Sequence, residues 1–147
     1  MKREELIFAL KKFFREKAEF YHVDIVLLFG SWYRGYPKEE SDIDIAVIFD
    51  DSFTSEEEIY ELITNISVNV SENFGKDVNT IPIYPDFRKP MLYYNAIIAG
   101  EPVYIRNSSK YITYRMKAIF HMEDFSLFGV KWQLERTSRN LEELRYA

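Results

Sequence analysis

Cysteine is absent from this chain, and glycine and proline are scarce, at five residues each. Without cysteine there is no disulfide scaffold, no thiolate zinc site and no thiol nucleophile. Long hydrophobic runs are missing too. The longest apolar stretches, such as Ile25 to Phe29, fall far short of the ~18 residues of a membrane-spanning helix. The start, Met1-Lys2-Arg3-Glu4-Glu5, lacks the apolar stretch of a signal peptide, which makes the cytoplasm the expected location. An excess of positive charge is also lacking: 19 Lys and Arg stand against 24 Asp and Glu, a formal net charge of −5. That balance argues against nucleic acid as a partner, since polyanion binding relies on a basic surface. What the 147 residues do contain is 47% hydrophobic and 17% aromatic side chains. This is enough to build one domain with a sizeable core and argues against disorder.

Because glycine and proline are rare, they punctuate the chain. Between Lys2 and Phe20 the apolar positions Leu6, Ile7, Leu10, Phe13 and Phe14 follow a 3.6-residue period, which predicts an amphipathic helix. Val23 to Phe29 and Ile43 to Phe49 are short, apolar and β-branched, as buried strands are. Asp51, Ser52 and Ser55 followed by Glu56-Glu57-Glu58 mark a helix start, with Gly75 as the stop signal after about Asn73. Val78 to Tyr84 reads as a third strand, and Pro82 places it at an edge. Pro90 opens a helix that ends near Gly100. Val103-Tyr104-Ile105 is a short fourth strand, and Tyr111 to Met122 and Val130 to Tyr146 read as two helices with a break around Asp124 to Gly129. The expected fold class is mixed α/β, in the α+β sense: a small mixed β-sheet flanked by helices. Residues 1–106 are the expected core domain and 107–147 its helical C-terminal extension.

One constellation carries chemistry. Gly30-Ser31-Trp32-Tyr33-Arg34-Gly35 follows a buried strand, and Ser41-Asp42-Ile43-Asp44 opens the next. Asp42 and Asp44 are two residues apart at a strand start, so both carboxylates point to one face. Like charges side by side on a sheet cost stability, and a divalent cation removes that cost. Hard oxygen ligands suit Mg²⁺, which takes one or two carboxylates together with phosphate oxygens. The Gly30-Ser31 turn offers backbone N–H groups and a hydroxyl to a phosphate, and a helix starting at Ser31 adds its dipole. A phosphate cradle beside a carboxylate dyad is the equipment of phosphoryl or nucleotidyl transfer.

Residues Gly30 to Val47 resemble the Gly-Ser…Asp-x-Asp signature of the DNA polymerase β-like nucleotidyltransferase superfamily, and the short length resembles its minimal branch. The segments Tyr111-Ile112-Thr113-Tyr114-Arg115 through Glu123-Asp124-Phe125 are similar to the tail of stand-alone antitoxins of this type, which are paired with HEPN-domain toxins. The resemblance implies the nucleotidyltransferase fold and transfer of AMP from ATP to a hydroxyl on a partner HEPN-type toxin. It further implies that Gly30 and Ser31 hold triphosphate oxygens, with Arg34 as a further phosphate contact and Ser41 bracing the loop. Asp42 and Asp44 would bind two Mg²⁺ ions. The superfamily places a third acid on a later strand. Here the matching register, Val78-Asn79-Thr80-Ile81, puts Asn79 at that position, and Asp77 lies two residues earlier, on the same face if the strand extends that far. Asp77 is therefore the candidate third catalytic and metal-binding carboxylate. The alternative is a nucleotide-binding antitoxin that acts by contact. A small-molecule (aminoglycoside-like) nucleotidyltransferase is a further alternative, for which the chain has little room to hold an acceptor.

The other reactive side chains read as structural. His22 and His121 have no second ligand at metal spacing in their own segments. The Arg115–His121 spacing matches an Arg-x(4–6)-His ribonuclease signature, but the tail is too short for that bundle. Phe13, Phe14, Phe20, Phe74 and Phe120 are expected in the core, while Trp32-Tyr33 and Tyr93-Tyr94 either stack on a base or pack at the core or its rim. Phe125, Leu127, Phe128, Trp132 and Leu134 either pack back or form a partner surface.

Overall fold

The computed structural model of the chain describes residues 2–30, 42–52 and 55–146, with the backbone alone at 125–130, 133 and 140–146. The element order is α1 (Arg3–Lys17), β1 (Val23–Phe29), β2 (Ile43–Phe49), α2 (Glu56–Phe74), β3 (Val78–Pro82), α3 (Pro90–Ile97), β4 (Glu101–Ile105) and α4 (Ser108–Tyr146). The four strands form one mixed sheet in the order β3-β2-β1-β4. β1 pairs antiparallel with both β2 and β4, and β2 pairs parallel with β3. The two strands that contain proline, β3 with Pro82 and β4 with Pro102, are the two edges, where a missing ladder donor costs least.

Alternation along the central strands sends side chains to two separate cores. On one face Val26, Leu28, Ile43, Ile45 and Val47 pack with Leu6, Leu10 and Phe14 of α1 and Ile66 and Val70 of α2. On the other, Ile25, Leu27, Ala46 and Ile48 pack with Tyr93, Ala96 and Ile97 of α3 and Tyr114 and Ala118 of α4. The four-residue spacing of Leu6, Leu10 and Phe14 gives α1 its buried stripe. The polarity of α1 suits its dipole, with Glu4 and Glu5 in the first turn and Arg15 and Lys17 in the last. α2 is capped at both ends: Ser55 accepts from the Glu57 N–H, and Gly75 closes the helix at φ +63°.

Three expectations shift. α1 stops at Lys17 rather than Phe20, because the chain turns through 18–22, with His22 at φ +57°, to enter β1. Phe14 is fully buried, and Phe13 and Phe74 pack partly against the core. Phe20 and Phe120, however, are 75% and 61% exposed and do not belong to it. The expected break near Gly129 is absent. α4 runs unbroken for 39 residues, since an isolated glycine costs a helix only about 1 kcal/mol and no proline follows. Of the tail side chains, Trp132 and Leu134 are more than half exposed and do not pack back.

α4 is fastened to the sheet near its start. The Lys110 ammonium donates to Asp24 Oδ2 of β1 (2.9 Å), to the Phe49 carbonyl of β2 (2.8 Å) and to Asp51 Oδ1 (3.1 Å). Five residues on, Arg115 Nη1 donates to the Ile97 carbonyl at 3.2 Å. His121 stacks on Phe87, with ring centroids 5.2 Å apart. Both residues of the Arg115–His121 pair are therefore engaged in packing α4.

Candidate active site

The site forms where three strands meet at one end of the sheet. β1 ends at Phe29, which is in register with Asp44 of β2, and Asp44 is in register with Asn79 of β3. Asp42 and Asp44 continue the row of Ala46 and Ile48, so they lie on the α3/α4 face as its polar end. Asp42 is exposed and Asp44 half-buried. The chain leaves β1 through Gly30 at φ +76°, a conformation side-chain-bearing residues rarely adopt. A second reason for glycine is space: a Cβ at this position would stand 2.3 Å from Asp44 Oδ2. Gly30 thus brings bare backbone against the carboxylate.

Asn79 spans the dyad. Its side-chain Nδ2 donates to Asp42 Oδ2 at 3.3 Å and to Asp44 Oδ1 at 3.1 Å. Three influences act on Asp44. Burial raises its pKa above 3.8 and is the largest; the Asn79 hydrogen bond opposes it; the Asp42 charge adds to the rise, and the net direction is upward. The ionised dyad is therefore under electrostatic pressure that a cation relieves, and its donor set is hard oxygen, the kind Mg²⁺ takes.

Asp77 precedes the first residue of β3, which starts at Val78, and its side chain is exposed. Its backbone carbonyl accepts from the Ile43 N–H at 2.9 Å, which pins the start of the parallel ladder. Among the described residues, no group of three or more His, Cys, Asp or Glu is gathered to hold a metal. Ser31, Arg34 and Ser41, with Trp32 and Tyr33, lie outside the described residues. Tyr93 is buried in the core and Tyr94 half-buried against it.

Asn79 is visible in the sequence as a departure from the expected acid, but its double hydrogen bond to the dyad is not. The Lys110–Asp24 pair is also absent from the sequence expectations, although Asp24 inside the apolar strand Val23–Phe29 is a usable signal. A concavity of about 290 Å³ opens at the opposite end of β2, lined by residues including Phe49, Asp51, Tyr84 and Arg88. Arg88 there is occupied by Glu56 (2.6 Å) and Asp86 (3.0 Å).

Residues 9–109 match the family model described as polymerase beta, nucleotidyltransferase. No curated protein matches the chain in sequence. A chain from a crystal structure of a toxin–antitoxin with AMP-PNP is similar in fold, with a TM-score of 0.62 at 19% identity. The likeness covers 86% of this chain and 91% of that one. A chain from the complex of tri-AMPylated Shewanella oneidensis HEPN toxin with MNT antitoxin gives 0.59 at 15% identity, covering 82% and 90%. The toxin–antitoxin MntA–HepT gives 0.55 at 18%, covering 85% and 88%. At these identities the likeness is one of fold. Among the described residues, no helix is long and apolar enough to cross a membrane.

Proposed function

The chain belongs to the polymerase β nucleotidyltransferase family, and from that premise we propose that it is a cytoplasmic antitoxin that transfers AMP from ATP to a hydroxyl of a partner HEPN-type toxin. The observation that carries the reading is the carboxylate pair Asp42 and Asp44, set against bare backbone at Gly30 and bridged by Asn79. The solved structures of similar fold support it, since they include an AMP-PNP complex and an AMPylated HEPN toxin bound to an MNT antitoxin.

Asp42 and Asp44 are the residues that would hold Mg²⁺, with Asp77 as the candidate third carboxylate. When bound, the ion neutralises triphosphate charge and favours departure of pyrophosphate. The rest falls to the chain. Gly30 and Ser31 receive phosphate oxygens on backbone N–H groups and the hydroxyl, Arg34 adds a cation, and Ser41 braces the approach to Asp42. In the transfer, the acceptor oxygen forms a bond to the α-phosphorus, the bond to the pyrophosphate oxygen breaks, and the hydroxyl proton is released.

The test is labelling of a co-purified partner with α-labelled ATP and Mg²⁺. Wild type transfers label, and Asp42→Asn or Asp44→Asn does not; undiminished labelling by both variants would sink the proposal. The position of Asn79 beside Asp44 favours one second reading, a nucleotide-binding antitoxin that neutralises its partner by contact alone. Calorimetry separates the two, because contact neutralisation shows ATP·Mg binding with no pyrophosphate release in the presence of partner.

A further inference from the structure

Asn79 lies beside the dyad and turns a donor, not an acceptor, toward both carboxylates. Ionised carboxylates only accept hydrogen bonds, so the amide face turned toward Asp42 and Asp44 is the NH₂, and the carbonyl oxygen is turned away. The amide carries two N–H groups, enough to serve both carboxylates from the one Nδ2. β3 is held in place by the parallel register Asp44↔Asn79 and by the Ile43 N–H bond to the Asp77 carbonyl, so the amide can leave the dyad only by rotating its side chain. Asn79 is exposed.

We propose that Asn79 is a positioning residue that clasps the empty dyad, so that a divalent cation enters only by displacing its amide. The proposal rests on the nucleotidyl-transfer reading of the same site. The clasp and the cation compete for carboxylate oxygens. In the free protein the amide offsets the mutual repulsion of Asp42 and Asp44 and keeps them side by side. A cation arriving alone meets two carboxylates that are both already hydrogen-bonded to the amide. A cation arriving with a triphosphate brings further oxygen ligands with it. Cation binding is thereby tied to nucleotide binding.

The experiment is Mn²⁺ titration of the full chain without nucleotide, with free Mn²⁺ counted by electron paramagnetic resonance. Wild type, Asn79→Ala and Asn79→Asp are compared, with circular dichroism confirming that each is folded. Removing the clasp in Asn79→Ala tightens Mn²⁺ binding by about fivefold, the equivalent of one net hydrogen bond. Asn79→Asp, which adds a charge in place of the clasp, tightens it by at least about tenfold. Unchanged or weaker binding by Asn79→Ala overturns the clasp, and weaker binding makes the amide oxygen a ligand. A nuclear magnetic resonance titration gives a second readout: Mg²⁺ shifts the Asn79 side-chain NH₂ signal of the wild type, and an unmoved signal at saturation overturns displacement. If wild type binds no Mn²⁺ even with AMP-PNP, the transfer reading falls together with the clasp; Mn²⁺ bound with AMP-PNP but not tightened in Asn79→Ala removes the clasp alone.

Discussion

Gly30 and Asp44 are in such close approach that a Cβ on the glycine would lie 2.3 Å from the carboxylate Oδ2. The glycine also sits at φ +76°. Gly30→Ala must therefore both strain the backbone and push Asp44 out of the row it shares with Asp42. The expected cost is about 2 kcal/mol in urea unfolding. Partner labelling should fall with it even under conditions where the variant is fully folded. A Gly30→Ala chain with wild-type stability and wild-type labelling would contradict the geometry.

The dyad is a place where function opposes stability. Burial lifts the Asp44 pKa above 3.8, and the Asp42 charge adds to the rise despite the Asn79 hydrogen bond. The folded, cation-free protein then binds a proton at Asp44 more tightly than the unfolded chain does. The sign follows: the contribution of Asp44 to stability is greatest below pH 3.8 and declines as pH rises through the raised folded value. Asp44→Asn removes this decline. Near neutral pH without divalent cation, Asp44→Asn should melt at or above the wild-type temperature while its labelling falls by at least about 100-fold. Thermal melts across the acid range, wild type against variant, check the sign.

How legible all this was in the sequence differs from residue to residue. Asp42 and Asp44 could be found because a strand's period of two is local, and their row on one face follows from spacing alone. The edge position of β3 was readable from Pro82, whereas Val103-Tyr104-Ile105 could be read as a short strand but not placed in the sheet. Asn79 is a different case. Its amide reaches the dyad only through the parallel pairing of β2 and β3, two strands separated by the whole of α2, and no local pattern encodes that register. The Lys110–Asp24 pair is more remote still, its members 86 positions apart in the chain. Gly129 misled because glycine is a probabilistic breaker, and here the helix continues through it.

Lys110 should matter to the fold well beyond an ordinary surface lysine. Its side chain and that of Asp24 are only 12% and 11% exposed, and the ammonium also donates to the Phe49 carbonyl and to Asp51. Lys110→Met leaves the Asp24 carboxylate buried without its cation, at an expected cost of about 3 kcal/mol. Adding Asp24→Asn to Lys110→Met should recover part of that loss, because the stranded charge is gone. Burial pulls the Lys110 pKa down, but the hydrogen bonds to Asp24 and Asp51 outweigh it and hold the group above 10.5. The stabilisation is therefore fully present below pH 10.5 and is lost as pH rises through the higher folded value. Melting temperatures of wild type and Lys110→Met should differ most near neutral pH and converge in strong alkali; a gap that is constant with pH would show that the lysine acts through packing of its stem rather than through its charge.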